Sequence, residues 1–352
     1  MKKPLVTIVM PVYNVAPYIE RALSSALHQT YSNLEFILVD DCGKDDSIQI
    51  AEQIIAQYDT EHKVRIIHHD HNRGLSAARN TGLDNMRGEY VYFMDSDDEI
   101  TVDCIEQLEA LAEKYPKAEM VIGNMSVPIY PNDPEEKKKQ GRDFSHFPEY
   151  ADDRDWMVRY MFDYSGGYFI PSTSVNKLQK KSFFEDNQLR FVEGLIHEDE
   201  KMTFDCAECV KSMAFYAPVT YIRYMNAGSI MTSMTSIRSL DNWIKIIKSS
   251  YPRFQDPHKS LKLIYCITEI LNRSLDLPKK DSLTAIIKSK SLVIKLSKEL
   301  TSLGYKNTYR YMGEYLLLPH RLMRLSRKKN NLREKYSLAN MKKNILDSTC
   351  KD

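Results

Sequence analysis

The chain has 352 residues, 43% of them apolar, enough to bury the core of one large domain or two ordinary ones and too many for a disordered tail. Its 49 Lys and Arg nearly cancel its 48 Asp and Glu, so no global charge draws it to nucleic acid or to an acidic membrane. Any such attraction must be local.

In chain order, Leu5 to Val12 reads as a β-rich run, and Ile19, Ala22, Leu23, Ala26 and Leu27 share a helical face behind Pro17, a residue suited to a first turn. Lys2-Lys3 ahead of this run imitates a signal peptide. Pro11 breaks it, however, and no cleavage site follows, so the expectation is a cytoplasmic protein that opens on a strand. Phe36 to Val39 is a second buried run, and Ala51, Ile54, Ile55 and Tyr58 recur at helical spacing after Asp45, Asp46 and Ser47, any of which can cap. Val64 to His68 reads as a third strand, Leu75, Ala78, Arg79 and Gly82 as a short helix face, and Tyr90 to Met94 as a fourth strand. A helix carrying Ile105, Leu108, Leu111, Ala112 and Tyr115 leads into Met120 to Ile122. Repeated β-then-α units with unbroken apolar strands predict an α/β fold, a mostly parallel sheet with helices on both faces. Residues 127 to 155, with Pro128, Pro131, Pro134 and the run Glu135 to Lys139, read as an exposed excursion, and Trp156 to about Met225 is aromatic-rich and mixed. From about Leu240 the pattern turns helical. No stretch approaches the roughly 18 to 20 apolar residues of a membrane-spanning helix.

Acidic residues gather at one kind of place. The first strand ends in Pro11-Val-Tyr-Asn14, the second in Asp40-Asp41 and the fourth in Asp95-Ser-Asp-Asp98, all at carboxyl ends of predicted parallel strands, where open α/β sheets bind ligands. Five carboxylates in one crevice repel one another unless a cation offsets them, so the pattern implies a divalent metal. Oxygen ligands alone suit Mg²⁺ or Mn²⁺, and such ions bridge to substrate phosphates, which makes a diphosphate the expected ligand. The plainer reading of Asp95 to Glu99 is a set of acids favoured by the dipole of the next helix.

Together Pro11-Val-Tyr-Asn14, Val39-Asp-Asp-Cys-Gly-Lys-Asp-Asp-Ser47, Asn72-Arg-Gly-Leu-Ser-Ala-Ala-Arg-Asn80 and Asp95-Ser-Asp-Asp98 resemble the family 2 inverting glycosyltransferases of the GT-A fold. The resemblance is dense over residues 4 to 125 and thinner over 170 to 205. It implies a nucleotide-sugar-binding half over 1–125, an acceptor-binding half over 126–235 and a helical, basic C-terminal region over 236–352. It further implies transfer of a sugar from a nucleotide diphosphate donor, usually a uridine one, to an acceptor hydroxyl. Carried over by position, Pro11 and Tyr13 would pack on the nucleoside, Asp41 would accept from the base with Asp40 supporting the loop, and Arg79, with Arg73, would face the nucleotide. Asp97 would sit nearest the ribose and Asp98 would ligate Mn²⁺ or Mg²⁺, with Asp95 in support; which of the three ligates directly stays open. The segment Arg190-Phe-Val-Glu-Gly-Leu-Ile-His-Glu-Asp-Glu-Lys-Met-Thr-Phe204 is similar to the family's acceptor-side element, in which a Glu-Asp pair opens a helix. Here Asp199 would be the general base and Glu198 its neighbour. A solvated helix start is the rival account.

Other features are weaker. The pair Cys206 and Cys209 lacks a second pair and reads as packing; the six cysteines are too sparse for a disulfide framework. His68-His-Asp-His71 reads as a solvated turn, His197 as packing or surface, and Lys177 is open between an acceptor-side role and the surface. Residues 301 to 352 carry twelve Lys or Arg against four Asp or Glu, a net of +8, with Leu316 to Leu318 and Leu322 to Leu325 interleaved among the cations. That composition predicts an amphipathic segment on an anionic membrane surface and suits a lipid-linked acceptor. The reading is a metal-dependent inverting glycosyltransferase, peripheral on the inner face of the cell membrane. It takes a nucleotide-sugar donor and a saccharide or lipid-linked saccharide acceptor, and no nucleic acid. The rivals are a nucleotidyltransferase, for which no Gly-rich phosphate loop is present near the N-terminus, and a non-catalytic sugar-nucleotide or membrane-binding protein.

Overall fold

The computed structural model describes residues 3–59, 63–130, 133–162, 169–226, 237–254, 259–276 and 279–303. The chain divides into two compact units, residues 1–157 with 172–229, and residues 158–171 with 230–352.

The first unit alternates strands and helices: β1 (Val6–Val12), α1 (Ile19–Leu27), β2 (Leu34–Asp40), α2 (Ser47–Tyr58), β3 (Val64–His68), α3 (Leu75–Asn85), β4 (Tyr90–Phe93), β5 (Glu99–Ile100), α4 (Cys104–Lys114) and β6 (Met120–Met125). After β7 (Tyr150–Ala151) and α5 (Arg154–Phe162) come β8 (Lys177–Lys180), α6 (Lys181–Asp186), α7 (Glu198–Cys209) and β9 (Met213–Ile222). The strands form one sheet in the order β3-β2-β1-β4-β8-β6-β9-β5, with β7 on β9. The ladders β3-β2-β1-β4 and β6-β9 are parallel, while β8 runs antiparallel between β4 and β6. Every residue of β1 is buried, as a strand covered by helices on both faces requires. This is the α/β architecture the periodicity predicts.

Two details place the site. A Cβ on Gly82 would meet Val9 Cγ1 at 2.2 Å, so α3 lies against β1 more closely than any other residue would permit. Arg79 sits one turn earlier on the same face and is thereby carried beneath the carboxyl edge of the sheet. The described residues between 127 and 155 are not a plain exposed excursion. Ile129 and Phe144 are buried, Ile129 bridges to Tyr224, and β7 extends the sheet, because apolar residues spaced between the prolines find cover on β9.

The second unit contains α8 (Ile237–Ser250), α9 (Lys259–Asp276) and α10 (Lys279–Ser302). Its core includes Trp243 against Tyr265, which in turn meets Phe162 edge-on. Among the described residues no helix is long and apolar enough to cross a membrane. The basic segment from residue 304 onward lies outside the described residues.

Candidate active site

The acids stand at the carboxyl ends of β2 and β4, and among the described residues those after β4 form one cluster while Asp40 and Asp41 are not part of it. In the motif after β4, one carboxylate oxygen from each of Asp95, Asp97 and Asp98 lies within 4.8 Å of the others. Asp98 is buried and each of its oxygens already accepts one bond, from the Tyr224 amide at 2.8 Å and from the Tyr221 hydroxyl at 2.9 Å. Each retains a second lone-pair direction. Asp97 accepts from the Asn226 side chain at 3.0 Å, and its carbonyl accepts from Arg21 at 2.6 Å, whose guanidinium lies 3.6 Å from the Tyr224 ring centre. Strand β9 and helix α1 thus hold the motif from two sides.

Burial, followed by the neighbouring Asp97 and Asp95, pushes the Asp98 carboxyl well above the usual range. Asp95 is raised to about 6, first by burial and then by Asp97 and Asp199, with Arg79 opposing. Its side chain nevertheless keeps 37% of its surface open to the cleft, so solvent tempers that shift. Crowded oxygen-only ligands that hold protons against their nature fit a hard divalent cation, which would take the place of those protons.

Arg79 differs from its expected place. It faces no open cleft: it is 1% exposed and sits among three carboxylates. Its Nη1 donates to Glu198 and to Asp199, both at 2.9 Å, and its Nη2 to Asp95 at 3.3 Å. Burial works against its charge, but Asp199, Glu198 and Asp95 together raise its pKa instead. In this arrangement the guanidinium is committed to carboxylates rather than presented to a phosphate. Arg73 is the more open of the two, pairing at 3.2 Å with Glu193 where both are half-exposed.

Glu198, Asp199 and Glu200 form the first turn of α7, where the helix dipole favours acids. The chain enters that turn through His197, which is buried and in the left-handed region at φ 67°, after Gly194 at φ 71°. Burial, then Asp199, pushes Glu198 up to about 7 against the pull of Arg79. Asp199 keeps 24% of its side chain exposed and accepts at Oδ1 from Arg79 and from Ser174 at 2.5 Å. The pair Glu198-Asp199 is therefore no solvated helix start.

On the nucleotide side the expected loop support by Asp40 is shared with Asp41. Asp41 is 3% exposed and spends its oxygens inside the protein, accepting from His69 at 2.7 Å, from the Arg73 amide at 2.8 Å and from the Gly74 amide at 2.8 Å. It braces the loop before α3. Asp40 instead lines an open pocket with Asn14 and Asp45 while accepting from the Cys42 amide at 3.0 Å and pairing with His68 at 2.8 Å. His69 corrects the reading of a solvated turn: it is buried, held by Asp41 on one nitrogen and Thr81 at 2.8 Å on the other, although His68 and His71 are exposed. Of the two alternatives for Lys177 the surface is excluded: it is buried in β8, and that burial lowers its pKa against the opposing pull of Cys206, Asp199 and Glu200. Pro11 is buried and its carbonyl accepts from Ser96, while Tyr13 stands 46% exposed beside it. Burial pushes the thiols of Cys206 and Cys209 up, to about 12 and about 11, as inert packing groups.

Ser174, Tyr221, Tyr224, Asn226 and Arg21 were not legible as site residues. None lies in an acidic motif, and only the convergence of β9 with the residues after it, α1 and the segment ahead of β8 on the acids reveals them.

Residues 7–177 match the family Glycosyl transferase family 2. Glycosyltransferase GlyG of Streptococcus pneumoniae is 31% identical over 236 residues, which cover 64% of this chain and 73% of GlyG. For two further curated glycosyltransferases the matched stretch is 16% and 42% of their own length, so the chain spans less than half of either. Among solved structures, residues 1–349 of S. aureus TarS in complex with UDP-GlcNAc superpose with a TM-score of 0.60 at 19% identity, covering 98% of this chain and 91% of that one. A mannosyltransferase from Pyrobaculum calidifontis, in complex with GDP-Man and Mn²⁺, gives 0.56 at 17% identity, covering 99% and 88%. These neighbours share the fold, and the extent of the GlyG match carries the relationship: the chain belongs to glycosyl transferase family 2.

Proposed function

We propose that the protein transfers a sugar from a nucleoside diphosphate donor, a UDP-sugar in preference, to a hydroxyl of a saccharide acceptor in polysaccharide assembly, with inversion at the anomeric carbon. One observation carries this reading: Arg79 joins the acidic motif to the Glu198-Asp199 pair, so a metal-binding cluster and a candidate base share one buried cation. Asp199, partly open at the cleft, would take the acceptor's proton as its oxygen attacks. A single base acting once implies a single displacement. Asp40 and Tyr13 face the space where a nucleoside would lie, and Asp41 with His69 keeps the loop before α3 in place. Asp98, with Asp97 and Asp95, would hold Mn²⁺ or Mg²⁺, which supplies neutralising charge for the departing diphosphate. TarS bound to UDP-GlcNAc supports a UDP-sugar, and the Mn²⁺ complex of the mannosyltransferase supports the metal. The deciding experiment is a screen of UDP-sugars and GDP-mannose for Mn²⁺-dependent hydrolysis; no turnover of any donor overturns the reading.

Metal binding should be visible in thermal stability. Asp95 and Glu198 have carboxyls raised to about 6 and about 7, and burial pushes Asp98 well above the usual carboxylate range, so in the folded state these groups bind protons more tightly than in the unfolded one. Without metal, the contribution of these three groups to stability is therefore fully present below the ordinary carboxylate range and is lost as pH rises through their folded-state values. Mn²⁺ should raise the melting temperature more at pH 8 than at pH 5.5, where protons compete with it. Asp98→Asn should remove most of that Mn²⁺ response and Mn²⁺-dependent UDP affinity. A response to Mn²⁺ that is independent of pH and of Asp98 would move the metal elsewhere.

The basic segment is proposed to place the enzyme on the inner face of the cell membrane. Arg321, Arg324, Arg327, Lys328 and Lys329 each contribute about 1 kcal/mol near an anionic surface. Removing residues 315–352 should abolish co-sedimentation with phosphatidylglycerol vesicles at low salt while preserving UDP affinity. An intact chain that stays in the supernatant refutes the membrane role.

A further inference from the structure

Asp199 has two oxygens, and the structure treats them differently. Oδ1 accepts from Arg79 Nη1 at 2.9 Å and from Ser174 Oγ at 2.5 Å. Two donors fill the two lone-pair directions of that oxygen. The short contact from a hydroxyl to a carboxylate is the charge-assisted kind. Among the described residues no donor is recorded on Oδ2, and a quarter of the side chain is open.

Ser174 is itself held firmly. It is 4% exposed and lies in the segment ahead of β8, where Val175 bridges to Phe93. Asn176, two residues on, is locked in a left-handed backbone by Tyr92, Thr220 and the Asn124 carbonyl at 2.9 to 3.0 Å. The same segment grips α7 at two further points: Ser172 donates to Glu200 at 3.0 Å, and Thr203 reaches the Ser172 carbonyl at 3.3 Å. The hydroxyl of Ser174 is thus delivered from a rigid strand end to one chosen oxygen.

We propose that Ser174 is a positioning residue for the base: with Arg79 it occupies Oδ1 of Asp199, fixes the carboxylate plane and leaves Oδ2 to receive the acceptor proton. The inference rests on the reading of Asp199 as general base. The O–H bond of the acceptor breaks, its electron pair forms the bond to the anomeric carbon as the bond from that carbon to the diphosphate oxygen breaks, the nucleoside diphosphate leaves with that second electron pair, and the acceptor's proton passes to Oδ2, while Ser174 keeps its own proton.

The test uses the full chain with Mn²⁺ and whichever UDP-sugar the donor screen selects, measuring kcat and donor KM for Ser174→Ala, Ser174→Cys, Ser174→Thr, Asp199→Asn and the double variant Ser174→Ala with Asp199→Asn. Loss of a hydrogen bond to a charged group predicts a fall in kcat of about 10- to 100-fold for Ser174→Ala, with donor KM unchanged. Ser174→Cys, close in size but a weak donor, should lose as much, which separates the effect from a packing defect, and Ser174→Thr should restore most of the rate. In the Asp199→Asn background Ser174→Ala should cost nothing more. Parental kcat in both Ser174→Ala and Ser174→Cys, while Asp199→Asn is impaired, overturns the role of Ser174 and leaves the base in place. Near-parental turnover in Asp199→Asn overturns the base and this inference with it. An undiminished Ser174→Ala effect in the double variant shows that Ser174 does not act through Asp199.

Discussion

Replacing Asp199 by asparagine is expected to reduce turnover by about 10² to 10⁴ while leaving UDP-sugar affinity within a factor of a few. The substitution conserves shape. Its carbonyl oxygen can still accept from Arg79 and Ser174, so α7 should keep its entry into the cleft. The group facing the acceptor, however, becomes an amide that cannot take a proton. On the proposed reading donor affinity rests on residues at the ends of β1, β2 and β4, whose side chains the substitution leaves in place. Steady-state kinetics and calorimetry with UDP check the two halves separately. Turnover close to the parent would shift the base to Glu198, which shares Arg79 Nη1 and whose raised carboxyl titrates near neutrality.

The largest effect on the fold is expected from Arg79→Met. The side chain is buried to 1% exposure, and it is the cation that meets Asp95, Glu198 and Asp199 together. Removing one side of a buried ionic cluster costs about 3–5 kcal/mol, because the remaining charges are left unpaired in a poorly solvated place. For a unit of this size that is a fall in melting temperature of roughly 10 °C. The loss should be smaller at pH 5.5 than at pH 8. Asp95 and Glu198, already raised to about 6 and about 7, rise further without Arg79 and shed their repulsion by protonation. Arg79→Lys keeps one charge but cannot fork between Nη1 and Nη2 contacts, so it should fall between the parent and Arg79→Met. A variant that melts within 2 °C of the parent at pH 8 contradicts the account of Arg79 as the counter-charge of this cluster.

The α/β alternation, the acids at two strand ends, and the Glu-Asp pair at a helix start were all readable along the chain. Each is a local property: apolar periodicity declares a strand or a helix, and a strand's carboxyl end is where its next polar residues must stand. What those residues do to one another is not local. Arg79 has the spacing of a helix-face cation, but two of its three carboxylate partners are 119 and 120 positions away, and the close seating of α3 on β1 through Gly82 turns it inward. Asp40 and Asp41 are neighbours with the same side chain, yet strand alternation sends one toward the pocket and the other toward His69 and the amides of Arg73 and Gly74. His69 looks like one of three solvated histidines until β3 ends beside Thr81. Ser174 carries no motif, and becomes part of the site only because β8 runs antiparallel between β4 and β6 and brings the segment before it under α7. Sequence by itself determined the elements and the chemical types at their ends; tertiary structure decided which charge meets which, since pairing energies depend on distance and burial, and neither is encoded in the spacing of one segment.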